Sequence, residues 1–337
     1  MMPKLISFAT LLAGALLLVS APGHASAGST DEDSIPPENG ARPFLACSLE
    51  VIAPLRPPAS QTAFAPESVA LDELGRLFVL DRASGRIVRY TRDGTWVQFG
   101  AGDQGGVRYP NLTSLYARSG PDLFALAPAA GTLYQFDLDG RLRQTVSYQD
   151  GLDRANLGFV NVVDFALDRA GQLLLLDRSG GRLLLFDRFG RFLTDLASGA
   201  TSADRPQSPV RLALDDEGQI FLCDPPGNWI RRFTPQGTPR PAWRYLPADS
   251  SAAGGAPLLC VTPWNQAVVV SRSGAFARLF TPDGRLQLIW RNPKPGIGPV
   301  SSVAAGPDSV IYLSCPGRGE IERWKWVVRD RGATRRP

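Results

Sequence analysis

Histidine is almost missing from this 337-residue sequence: its one copy is His24. That residue lies at the end of a segment with the layout of a cleaved export signal. Met1-Met2-Pro3-Lys4 leads into an apolar stretch from Leu5 to Val19, closed by small residues at Ala25-Ser26-Ala27. Cleavage after Ala27, with Ala21 as the other acceptable site, leaves a mature chain without imidazole. Ser-His-Asp and Cys-His catalysis and histidine-bound zinc or iron are then excluded. Long apolar runs are lacking too. Leu5–Val19 spans 15 residues, short of the roughly 20 that a membrane-crossing helix needs. Lysine is confined to Lys4, Lys294 and Lys325, and the formal net charge is only +4, which falls to +3 once Lys4 is removed. That mild excess is not the concentrated basic field of a nucleic-acid-binding protein. Four cysteines, Cys47, Cys223, Cys260 and Cys315, are scattered with no C-x-x-C among them, so neither a redox motif nor a zinc knuckle is indicated. In an exported chain they allow three pairings or none, and Cys223 and Cys260 fall inside core strands, where a buried thiol is expected.

What is present is a repeat. Residues 28–43 are rich in Gly, Pro and acidic side chains, with little to bury, and read as a flexible leader. Order is expected from Phe44 to Arg329, with a basic tail at 330–337. Across that span one pattern recurs: an apolar strand, an Asp-x-x-Gly turn, a second strand ending in Asp or a small residue, a Gly-containing loop, and a third strand closing on another turn. Units near 66–100, 161–196 and 209–245 match one another strongly, and units near 110–147, 257–291 and 299–329 are degenerate but in register. The glycine after each third strand, Gly94, Gly140, Gly190, Gly237 and Gly284, recurs at spacings of 46, 50, 47 and 47 residues.

Short apolar runs broken by Gly, Pro and Asp, without helical periodicity, predict an all-β chain. A three- or four-stranded sheet cannot bury both faces alone, so successive units must stack into a closed ring. The expected fold is a six-bladed β-propeller of four-stranded antiparallel blades. The last unit runs out soon after Trp326, while Phe44–Ile52 forms an orphan strand ahead of the first. The orphan is expected to complete the sixth blade and close the ring.

The residues that carry this pattern resemble the NHL-repeat family. Pro66-Glu67-Ser68-Val69-Ala70-Leu71-Asp72, Leu77-Phe78-Val79-Leu80-Asp81 and Arg86-Ile87 follow its consensus in order. The resemblance implies a propeller that serves as a protein-binding, RNA-binding, sensor or enzymatic domain, and so specifies fold more than function. Its peptide-amidating lyases use a zinc held by several histidines, which the mature chain lacks. The more distantly similar six-bladed lactonases hold a metal with Glu, Asn and Asp around the central channel, and no repeat position here supplies that set.

Two charged constellations stand out. The Asp ending the second strand and the Arg opening the third recur as Asp81 with Arg86 and Asp177 with Arg182. Degenerate units lose both members together (Ala127 with Thr132, Ser271 with Phe276), as expected of structural ion pairs bridging adjacent strands. Asp224 faces Trp229 instead and has Arg231 or Arg232 within reach. The second constellation is Arg82, Arg178 and Arg272 directly after second strands, with Arg318 in the matching loop of the last unit. On a propeller these loops share one face, and guanidinium groups there suit a carboxylate, phosphate or acidic protein. Trp229 borders the same face. Asp72, Asp168 and Asp215, each three residues before a Gly, and Thr91, Thr234 and Thr281 are expected to cap tight turns.

These features lead to an exported protein, periplasmic or secreted, that is monomeric and uses no cofactor, no metal and no catalytic residues. It is expected to hold a protein or peptide partner of acidic character through Arg82, Arg178, Arg272, Arg318 and Trp229. The alternative is a metal-dependent hydrolase or lyase with its site in the central channel.

Overall fold

The computed structural model describes residues 47–59, 63–91, 94–99, 111–117, 120, 122–247, 255–294 and 296–328. The segments expected to be an export signal, a flexible leader and a basic tail, and the start of the expected orphan strand at Phe44–Ala46, lie outside them. The described residues form six four-stranded antiparallel sheets arranged as a β-propeller. Blade 1 runs Pro66–Leu71, Leu77–Asp81, Arg86–Tyr90 and Trp96–Gln98, from the channel outward, and blades 2 to 5 repeat that order.

Blade 6 is built from both ends of the chain. Val303–Ala305, Val310–Cys315 and Glu320–Val328 supply three strands, and Cys47–Leu55 pairs antiparallel with the last, placing Leu49 opposite Trp326 and Val51 opposite Trp324. The ring is therefore closed by the amino-terminal strand through hydrogen bonds.

The second strands Leu77–Asp81, Leu173–Asp177 and Ile220–Asp224 are buried along their whole length, while Asp122–Ala127 of blade 2 is only partly covered at Asp122 and Phe124. They lie inside a blade with a neighbouring blade on each face, which explains why they read as continuous apolar runs. Among the described residues the core divides into clusters lying between successive blades: Phe78, Phe99 and Phe136 between blades 1 and 2, and Leu258, Trp290 and Trp324 between blades 5 and 6. Stacking contributes stability that no blade has alone.

The glycines that mark the repeat have a common cause. Gly94, Gly140, Gly190, Gly237 and Gly284 all have φ between 81° and 90°, where an L side chain is strained. Several also touch the preceding blade: a Cβ at Gly237 would stand 2.3 Å from the Leu196 carbonyl oxygen, and one at Gly190 2.5 Å from that of Ser147. The longest spacing, Gly140 to Gly190, contains a short helix, Gln149–Arg154, inserted between blades 2 and 3. No helix among the described residues is long and apolar enough to cross a membrane.

Candidate functional site

The turns on one face are built as their residue types dictate. Asp72 Oδ1 accepts the N–H groups of Leu74 and Arg76 (3.0 and 2.9 Å), and Asp168 and Asp215 repeat the arrangement. Thr91 and Thr234 do the same in the second turn, each accepting from the fourth residue on at 3.1 Å. These groups are occupied by backbone and offer no chemistry.

On the opposite, loop face the charged pairs differ from blade to blade. In blade 3 Arg182 donates Nε to Asp177 Oδ2 at 2.6 Å, while its other nitrogens reach the carbonyls of Leu157 and Phe159. In blade 4 Asp224 pairs with Arg231, also at 2.6 Å. In blade 1 Asp81 and Arg86 stand opposite in register, but Asp81 accepts from the N–H groups of Ala65 and Ala83 and from Ser84 Oγ, and Arg86 Nε is buried without a hydrogen-bond partner. Ser271 Oγ takes over the role in blade 5 by accepting from Ala275 and Phe276. In blade 6 the charge is reversed: buried Glu320 stands in the Arg position and holds Arg318 (2.6 Å) and Arg56 (2.8 Å).

Four of the five residues singled out for partner binding are engaged locally. Arg82 is exposed with Glu67 at 3.9 Å, Arg178 donates to Ser208 Oγ at 3.0 Å, and Arg318 pairs with Glu320. Trp229 is covered by the Arg244 guanidinium, 4.2 Å from its ring centroid. Arg272 alone of the five lines the central channel.

That channel, about 560 Å³ in volume, is walled by the first strands of all six blades. Its chemistry is set by one repeat position, four residues before the turn Asp. Ser68, Ser114, Asp164, Arg211, Leu258 and Ser302 occupy it in blades 1 to 6. The side chain there points to the next blade. Ser302 Oγ accepts the Val69 N–H, Ser68 Oγ the Leu115 N–H, and Asp164 Oδ2 the Leu212 N–H at 2.9 Å, so each stitches one inner strand to its neighbour. Leu258 fills the same gap with apolar contact. Arg211 cannot accept a hydrogen bond, and it behaves differently. Its guanidinium donates to the Val210 carbonyl and, past blade 5, to the carbonyl of Ser301 in blade 6. Val300, beside Ser301, donates its N–H to the Arg272 carbonyl, which brings Arg211 and Arg272 to the same stretch of the wall.

Asp164 and Arg211 influence each other. Burial pushes the Asp164 carboxyl above the ordinary carboxylate range, and the positive charge of Arg211 partly offsets it. The site can therefore offer the guanidinium groups of Arg211 and Arg272 to an anion, beside a buried carboxyl whose two oxygens accept the Phe165 and Leu212 N–H groups. Neither Asp164 nor Arg211 follows from the motif reading above; the available signal was their departure from Ser at one repeat position. Among the described residues no group of three or more His, Cys, Asp or Glu converges as metal ligands would. Cys223, Cys260 and Cys315 are buried free thiols.

No protein-family model matches the sequence, and no curated protein is detectably similar to it. Solved structures do resemble the fold. A virginiamycin B lyase from Staphylococcus aureus superposes with a TM-score of 0.53 at 13% identity, covering 82% of this chain and 85% of that one. A gluconolactonase from Xanthomonas campestris gives 0.55 at 16%, covering 85% and 99%. The WD40 β-propeller domain of Doa1 gives 0.55 at 13%, covering 82% and 97%. At such identities the likeness establishes a β-propeller and nothing about activity.

Proposed function

We propose that this chain is an exported, non-enzymatic propeller of the NHL-repeat kind, whose loop face holds a protein or peptide partner by an acidic group seated at the channel mouth. The observation that carries this is Arg211. It occupies a position that holds a short bridging side chain in blades 1, 3 and 6, and it extends past blade 5 to meet the wall that carries Arg272. Two guanidinium groups on one concave surface suit a carboxylate such as a peptide carboxy-terminus or an acidic side chain, and walls of low dielectric strengthen the attraction. Arg82, Arg178 and Arg318 ring the same face and would extend the contact outward.

The test is capture from the organism's own extracts with mass spectrometry of what is retained, comparing wild type with an Arg211→Ala, Arg272→Ala double variant. A specific partner retained by wild type and lost from the variant is expected. No specific partner, or equal retention by both, would overturn the assignment.

Asp164 supports a second function, a hydrolase or lyase with its site in the channel. A carboxyl whose pKa burial raises, beside an arginine, has the character of a general acid or base, and the structurally similar proteins include a lyase and a gluconolactonase. Turnover of a lactone by wild type, lost in Asp164→Asn, would establish it over the scaffold.

A further inference from the structure

On the face opposite the loops, blades 2 and 3 leave between them a cleft of about 420 Å³, and its origin can be traced to one residue. Two positions before the second turn, the third strand carries Arg89, Gln135, Leu185, Arg232 and Leu279 in blades 1 to 5. In four of these the side chain takes up inter-blade or outer-strand space. Arg89 reaches into blade 2 and donates to the Leu138 carbonyl at 2.7 Å. Leu185 and Leu279 pack into the clusters shared with the following blade, and Arg232 lies over Phe221 and Trp243. Gln135 instead donates Nε2 to Asp122 Oδ2 of the adjacent strand at 3.0 Å. The space a longer side chain would wedge is left open.

The cleft has an apolar floor that includes Phe124, Leu133 and Leu173, and a polar rim. The acids of that rim are already compensated. Asp168 and Asp187 accept turn N–H groups, and Asp122 has Arg143 at 3.3 Å besides Gln135. Gln144, directly opposite Gln135 in register, makes no side-chain hydrogen bond among the described residues and offers both a donor and an acceptor. Phe189, 58% exposed, adds an aromatic ring at the mouth. Of the rim arginines, Arg169 is exposed to solvent, and Arg188 is exposed with its guanidinium 4.8 Å from the centroid of the Phe189 ring, covering one side of it.

We infer that this cleft is a binding site for a small neutral saccharide. The volume lies within the range of small-ligand sites. Asp122, Asp168 and Asp187 are matched in number by Arg143, Arg169 and Arg188, so the site as a whole favours no net charge. A carboxamide that both donates and accepts matches vicinal hydroxyls, and the side of the Phe189 ring away from Arg188 matches the C–H face of a pyranose. The site is distinct from the channel and does not depend on what the channel binds.

Ligand-observed saturation-transfer NMR on the full chain, with glucose, N-acetylglucosamine, maltose and cellobiose as probes, tests the inference. At least one sugar is expected to receive saturation from wild type. Gln135→Arg, which rebuilds the wedge of blade 1, should abolish the signal while the melting temperature stays within a few degrees. Gln144→Ala should weaken binding about fivefold, the worth of one ordinary hydrogen bond. Arg211→Ala should leave it unchanged. No transfer to any of the four sugars, survival of the signal in Gln135→Arg, or its loss in Arg211→Ala would each overturn the proposal, the last by moving the sugar to the channel.

Discussion

Asp224 and Arg231 form a fully enclosed ion pair, with Nε 2.6 Å from Oδ2 and side-chain exposures of 0% and 6%. The register partner of Asp224 is Trp229, so the arginine comes from two residues further along the same strand. Arg231 also donates to the Ala203 carbonyl, and Asp224 accepts from Gln207 and Ser208. The pair thus pins the segment joining blades 3 and 4.

Removing one partner strands the other. Arg231→Leu is expected to destabilise the protein by about 3–5 kcal/mol, and Asp224→Leu with Arg231→Leu by less than either single change. Urea unfolding of the three variants measures this; additive losses would show that the two residues contribute independently.

Gly237 and Gly171 have similar backbones, φ +84° and +75°, but a Cβ would meet the Leu196 carbonyl oxygen at 2.3 Å in one case and nothing within 4 Å in the other. Gly171→Ala should cost about 1–2 kcal/mol, the penalty of a left-handed L residue. Gly237→Ala should cost clearly more, because blade 4 must also move away from blade 3. Equal losses in thermal unfolding would rule out the close-approach component.

Asp164 and Glu322 both hold their protons to higher pH in the fold than the ordinary values of 3.8 and 4.5, Asp164 through burial and Glu322 through burial and the neighbouring Glu320. The folded state therefore binds more protons than the unfolded chain above those values. These groups contribute stability below the unfolded pKa, and it is lost as pH rises through the folded one. Against wild type, Asp164→Asn and Glu322→Gln should gain relative stability as pH rises above the ordinary values of 3.8 and 4.5. Denaturant midpoints across that range check it, and a flat or opposite slope would refute the assignment.

Burial pushes the thiols of Cys260 and Cys315 up to about 12, and that of Cys223 higher still. Since the thiolate is the nucleophile, all three should resist iodoacetamide in the native protein and react after denaturation. Peptide mapping reads the modified positions; labelling of any of the three under native conditions would contradict their burial.

The blades are legible in the sequence because their turns demand particular residues. Asp72, Thr91 and Gly94 each answer a local backbone requirement, and such requirements recur in every unit. Ring closure is legible for the same reason: a strand was left over at one end and missing at the other. The site is not legible in that way. Arg82 and Arg178 look identical to Arg272 in the linear pattern, and only contacts remote in sequence, Glu67 for Arg82 and Ser208 for Arg178, separate them from the one that lines the channel. Arg211 is visible only once six inner strands are superposed, and the turn of Gln135 onto Asp122 depends on a contact across strands that no local motif encodes.

The pairing of Cys47–Leu55 with Glu320–Val328 also imposes an order of events on folding. Leu49 leaves the ribosome long before Trp326 exists, so during synthesis the innermost blades can stack while the ring remains an open arc. Contacts this distant in sequence form slowly, and the waiting edge is open to pairing with another chain. A copy of the protein cut short before Glu320 is therefore not a smaller propeller but an unfinished one, with no strand for Cys47–Leu55 to pair with and the apolar flank of its last blade left open to aggregation.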